Sequence, residues 1–237
     1  MTTTAEVVQE PGTTGALSGR IAGFGGVLFV ACIVIQNILK AGVAPKNDAS
    51  ATEVMHYFAT HRGLEWVLAC LFPIGGIGLA LFAGGLCARA FSAGGRARAW
   101  SVVGGLGVAS IIAMFSAMIA TEIALLVSAH RSSTVLSTMA VLWTLHNSIF
   151  SVLLLSIAIG LLGLSRAAVN AGVAPSWLGP MGTVGTALLA ICAALAPAVA
   201  ESTSPVLAIG ALGFVLWIMM IVVVASRMTR ADNALRS

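Results

Sequence analysis

The sequence predicts an all-α membrane protein, a polytopic bundle of six transmembrane helices with a short external amphipathic helix. Three observations predict it. Six apolar stretches recur along the 237 residues, and a hydrocarbon slab about 30 Å thick takes about 20 apolar residues per helical crossing. The composition is 59% hydrophobic and only 8% charged, with a mean hydropathy of +1.02, far more apolar side chain than one soluble core requires. The stretches are continuous rather than alternating, which selects helices over a transmembrane β-barrel.

In chain order, residues 1–20 form a polar tail containing Glu6, Glu10 and Pro11. It lacks the basic start of a secretory signal, so 21–40 reads as a retained first span in spite of a faint cleavage-like Ala44. The other spans are predicted at 66–88, 100–129, 139–165, 181–200 and 205–226, and a basic tail follows at 227–237. Residues 201–204 are too short a link for spans five and six to be anything but antiparallel neighbours. Within the spans, Gly104, Gly105, Gly160, Gly163, Gly182 and Gly185 point to helices packed at close range. Pro73 and Pro197 read as tolerated kinks.

The longest connection, 41–65, carries a helix of its own. Ser50-Ala-Thr-Glu53 has the spacing of a capping box, in which a hydroxyl and a carboxylate satisfy exposed backbone N–H groups. Val54, Met55 and Phe58 then share an apolar face, with His56, Thr60 and His61 elsewhere. Such a helix either lies on the membrane surface or lids the bundle.

Orientation follows from the cations in the connections. One side holds Arg20, Arg89, Arg96, Arg98, Arg166, Arg227, Arg230 and Arg236, the other Lys40, Lys46, Arg62 and Arg131, eight against four. Both termini are therefore expected in the cytoplasm of a bacterial plasma membrane. The same placement assigns the net charge of +4 to span ends and lipid headgroups, which argues against nucleic acid as a partner. Cys32, Cys70, Cys87 and Cys192 all lie in apolar stretches without metal-ligand spacing and read as packing residues.

The polar residues inside spans carry the functional reading. Glu122 and His146 lie about equally far from the turn near Ser133 and Thr134, so two antiparallel helices would bring them to similar depth. Trp143, His146, Asn147 and Phe150 share a helix face. Gln36 and Asn37 reach the same depth on the first span, near the outer edge of the hydrocarbon, and Glu65, Trp66 and Glu201 fall at the outer boundary. Two readings fit this ring. In one, Glu122 and His146 clasp two helices and the tryptophans are interfacial anchors. In the other, Glu122, His146, Asn147, Trp143, Gln36 and Asn37 line an outward-facing ligand pocket, with Glu122 as acceptor for a proton or cation.

Catalysis has less support. No HExxH, GxSxG or comparable motif occurs, so no catalytic residue, metal ligand or cofactor is assigned. His56, His61, Glu122 and His146 could converge on a metal only if the external helix folds over the bundle.

The segments Ser18-Gly-Arg-Ile-Ala-Gly23, Ala49-Ser-Ala-Thr-Glu-Val54, Leu142-Trp-Thr-Leu-His-Asn147 and Ser176-Trp-Leu-Gly179 resemble uncharacterised bacterial six-helix integral membrane proteins grouped as a domain of unknown function. The resemblance covers about 18–226 and implies a six-helix membrane fold without an activity, substrate or cofactor. The expected function is binding of a small polar or amphipathic ligand, or a cation, in a transporter-like or sensing role. One alternative is an accessory subunit docking a partner protein or a second copy of itself, and another is a membrane-embedded metal-dependent enzyme.

Overall fold

The computed structural model describes residues 19–131, 135–201 and 205–234. The described residues form helices α1 (Gly19–Lys40), α2 (Ala51–Thr60), α3 (Arg62–Ala93), α4 (Gly95–Ala129), α5 (Leu136–Asn170), α6 (Leu178–Ala194), α7 (Ala196–Glu201) and α8 (Pro205–Ala234). Five of them, α1, α3, α4, α5 and α8, are long and apolar enough to cross a membrane. Exposed Phe24, Ile38, Leu106 and Val141 on their outer faces suit contact with lipid.

The predicted fifth span, 181–200, is interrupted. Helix α6 ends at Ala194 after 17 residues, and α7 resumes at Ala196. The cause is Pro197, which has no N–H to continue the ladder. The N–H of Leu195, the last before the break, turns back to the carbonyls of Ile191 and Cys192. Pro73, by contrast, sits inside an unbroken α3. The predicted tail at 227–237 begins as helix, because α8 runs on through Arg227 and Arg230 to Ala234.

The five long helices and α6 form a closed ring, α1–α3–α4–α5–α6–α8 and back to α1, with neighbours antiparallel and with α5 also touching α3 and α8 across it. Helix α5 is the most enclosed of the five long apolar helices. The α3–α4 corner is a single residue, Gly94, at φ 72°, a conformation that a side chain would strain. The α4–α5 contact is backbone on backbone. A Cβ at Gly163 would fall on the backbone of Gly104, and one at Gly107 on that of Gly160. Ser110 and Ser156 continue this seam with a 2.7 Å hydrogen bond.

Helix α2 starts with the predicted capping box. The Glu53 N–H donates to Ser50 Oγ at 3.3 Å, and the Ser50 N–H donates to Glu53 Oε2 at 2.7 Å. These bonds, the backbone one foremost, hold Glu53 below the ordinary glutamate pKa. The helix folds over the end of the α4–α5 hairpin and buries Val54, Tyr57 and Phe58 against Leu125, Leu126, Met139 and Trp143. Tyr57 thus takes the central place expected for Met55, which is only partly buried.

Candidate functional site

The glycine seam fixes the register of α4 and α5, since each step along one helix is matched by a step back along the other. Carried towards the α2 end, this register sets Thr121 and Glu122 beside His146. The Glu122 Oε1 to His146 Nε2 distance is 3.8 Å, and Thr121 Oγ1 lies 3.4 Å from His146 Nδ1. The imidazole stacks on Trp143 with ring centres 5.1 Å apart and planes within 5° of parallel.

A third helix completes the group. Lys40, the last residue of α1, sets its Nζ 2.5 Å from Glu122 Oε1. A cation at a helix C-terminus is favoured by the helix dipole, and the long aliphatic stem lets the ammonium reach inward. From sequence, Lys40 reads only as a span-end charge. What identifies it as a partner is that α1 closes the ring within reach of Glu122. Glu122 itself is 6% exposed, so the pair sits in surroundings of low dielectric.

Two more polar residues lie beside α2, Glu65 buried and Asn47 half-buried. Glu65 is 3% exposed and accepts the Tyr57 hydroxyl at 2.6 Å, whereas its sequence position suggests only a boundary residue. Burial, followed by the hydrogen bond to Glu65, pushes the Tyr57 phenol well above the ordinary tyrosine range. Asn47, in the loop before α2, ties that loop to two helices, α5 and α7. Its carbonyl accepts Trp143 Nε1 at 3.2 Å and Asn147 Nδ2 at 3.1 Å, and its own Nδ2 donates to the Val199 carbonyl on α7 at 2.7 Å. Such a backbone acceptor has no side-chain signature in a sequence.

These residues close one end of a cavity of about 550 Å³ on the axis of the ring. Lys40, Asn47, Glu122, Trp143, His146 and Asn147 line its polar end, and Phe29, Phe72, Phe115, Phe150, Phe214 and Trp217 line its body. Gln36 and Asn37 are also in the wall. The Asn37 amide folds back onto the Ile33 carbonyl at 2.8 Å, and neither residue hydrogen-bonds to the Glu122 cluster among the described residues. All six residues singled out from the sequence therefore face one space, four of them at its polar end. The side chain of Glu201 lies outside those described.

Helix α2 does fold over the bundle, yet the described residues hold no group of three or more His, Cys, Asp or Glu side chains placed to bind a metal ion. His56 is exposed, and His61 stacks on Tyr57 instead.

No family model, curated protein or solved structure matches the chain.

Proposed function

We propose that this chain is a bacterial plasma-membrane protein with six crossings and both termini cytoplasmic, and that its axial cavity binds one amphipathic small molecule from the outer side. The observation that carries this reading is the cavity's division into a buried ionic end and an aromatic body. Its volume of about 550 Å³ falls among small-molecule sites, which run to roughly 300–1,000 Å³. A polar ligand alone would leave the aromatic body unfilled, and a hydrocarbon alone would leave the ionic end without partners. Binding of this kind is the step that sensing and transport share.

Six crossings require α6 and α7 to act together. Seventeen residues reach about 26 Å at 1.5 Å each, short of the roughly 30 Å hydrocarbon core, and α7 supplies the remainder. The orientation rests on the arginines at the end of the ring opposite α2, among them Arg89, Arg96, Arg98 and Arg166.

The test is native mass spectrometry of protein released from nanodiscs and titrated with twelve-carbon amphiphiles. The expected result is a saturating 1:1 adduct that Gly76→Phe abolishes. Gly76 lines the cavity, and a Cβ there meets no heavy atom within 4 Å, so the ring has space to enter. Adducts that fail to saturate, or that persist unchanged in the filled variant, would place the amphiphile in the lipid-facing surface and end this reading.

A further inference from the structure

The hydrogen-bonding groups at the polar end of the cavity indicate what kind of head it accepts. Four donor groups there each make a hydrogen bond within the protein. Lys40 Nζ is on Glu122, Trp143 Nε1 and Asn147 Nδ2 are both on the Asn47 carbonyl, and Asn37 Nδ2 is on Ile33. With one amide N–H on Asn47, the Asn147 Oδ1 remains an acceptor without a hydrogen bond among the described residues.

His146 follows the same logic. The Thr121 hydroxyl donates to the Met118 carbonyl at 2.6 Å, so what it offers His146 Nδ1 is a lone pair. This assigns the ring hydrogen to Nδ1 and leaves Nε2 as an acceptor on the Glu122 side. Glu122 Oε1 holds Lys40, while among the described residues Oε2 has no hydrogen-bond partner. Three acceptors on three neighbouring residues are thus left for a ligand: Glu122 Oε2, His146 Nε2 and Asn147 Oδ1.

Charge points the same way. Two buried carboxylates, Glu122 in the cavity wall and Glu65 behind it under α2, share this end of the bundle with one partly exposed ammonium, Lys40. An anionic head would add a third negative charge beside Glu122 and would compete with it for Lys40. A neutral head would leave the excess carboxylate uncompensated.

Resting on the reading of the cavity as an amphiphile site, we propose that it selects a cationic amphiphile, a primary ammonium on a single alkyl chain. The three N–H donors of such a head match the three acceptors, and its charge balances the second carboxylate. The chain then lies along the phenylalanines towards Trp217.

The experiment compares dodecylamine, dodecanol and dodecanoate, which share one chain and differ in the head. Binding to protein in phosphatidylcholine nanodiscs is measured, with uptake by protein-free nanodiscs subtracted. Dodecylamine is expected to bind at least about tenfold more tightly than either competitor, the scale of one charge-assisted hydrogen bond. Glu122→Gln should erase that preference, so that dodecylamine and dodecanol bind the variant within about twofold of each other. Lys40→Met, which frees Glu122 Oε1, should tighten dodecylamine and weaken dodecanoate, and it provides the test if Glu122→Gln does not fold. Dodecanol or dodecanoate binding as tightly as dodecylamine overturns the cationic head while the amphiphile reading stands. No saturable binding by any of the three removes both.

Discussion

Tyr57 is the chain's single tyrosine, so its ionisation can be followed without interference from another phenol. Its pKa is raised by burial and by Glu65. The sign follows from linkage: a phenol whose folded pKa lies above its unfolded value stabilises the fold below the ordinary tyrosine range, and that stability is lost as pH rises through the folded value. Absorbance at 295 nm should therefore stay flat through the ordinary tyrosine range and rise only as α2 undocks. A rise within the ordinary range, with α2 still docked, would falsify the buried Tyr57–Glu65 bond. At this scale the sequence is legible only in part. Glu122 and His146 can be paired from their equal distances to one turn. Lys40, Tyr57, Glu65 and Asn47 cannot, because helical periodicity reports which face a residue occupies and not which helix closes against it.

Among the elements, the α4–α5 pair depends most on the absence of side chains. Gly104, Gly107, Gly160 and Gly163 let two backbones touch, and without water between helices that contact is a main source of association. Gly163→Val should destabilise the protein by about 3 kcal/mol or more, since backbone on the facing helix cannot move aside as a flexible side chain would. Gly84→Val, where a Cβ meets nothing within 4 Å, should cost well under about 1 kcal/mol. Thermal unfolding in nanodiscs or detergent ranks the two, and equal losses would mean that the seam is not what holds the hairpin. Close packing by Gly104 and Gly163 is legible in the sequence from residue type alone. Their opposition across the seam is not, because it needs the register. Pro197 is similarly visible as a kink, but whether a proline bends a helix or breaks it, as Pro197 does and Pro73 does not, depends on what else supports the freed backbone groups.

On the scale of the whole molecule, hydropathy makes the helical membrane bundle legible, yet it is silent on the ring order and hence on the cavity. That cavity exists because the ring closes through α1 and α8 while α5 fills only part of the interior. The proposed orientation predicts that alkaline phosphatase inserted after Asp48 is active and that inserted after Gly94 it is inactive, with the reverse pattern for green fluorescent protein. The opposite result would turn the molecule over in the bilayer.

Asn47 has a kinetic consequence. Its three hydrogen bonds, to Trp143, Asn147 and the Val199 carbonyl, hold the 41–50 loop across the polar end of the cavity. At about 1 kcal/mol net for each bond, parting them together costs about 3 kcal/mol, so the loop is released on the order of 1% of the time. For the proposed ligand, entry past this loop would then run about a hundredfold slower than into an open funnel, and release by the same route would be slowed alike. On the proposal of an amphiphile site, this loop favours a ligand that is scarce and held long over one that is exchanged quickly.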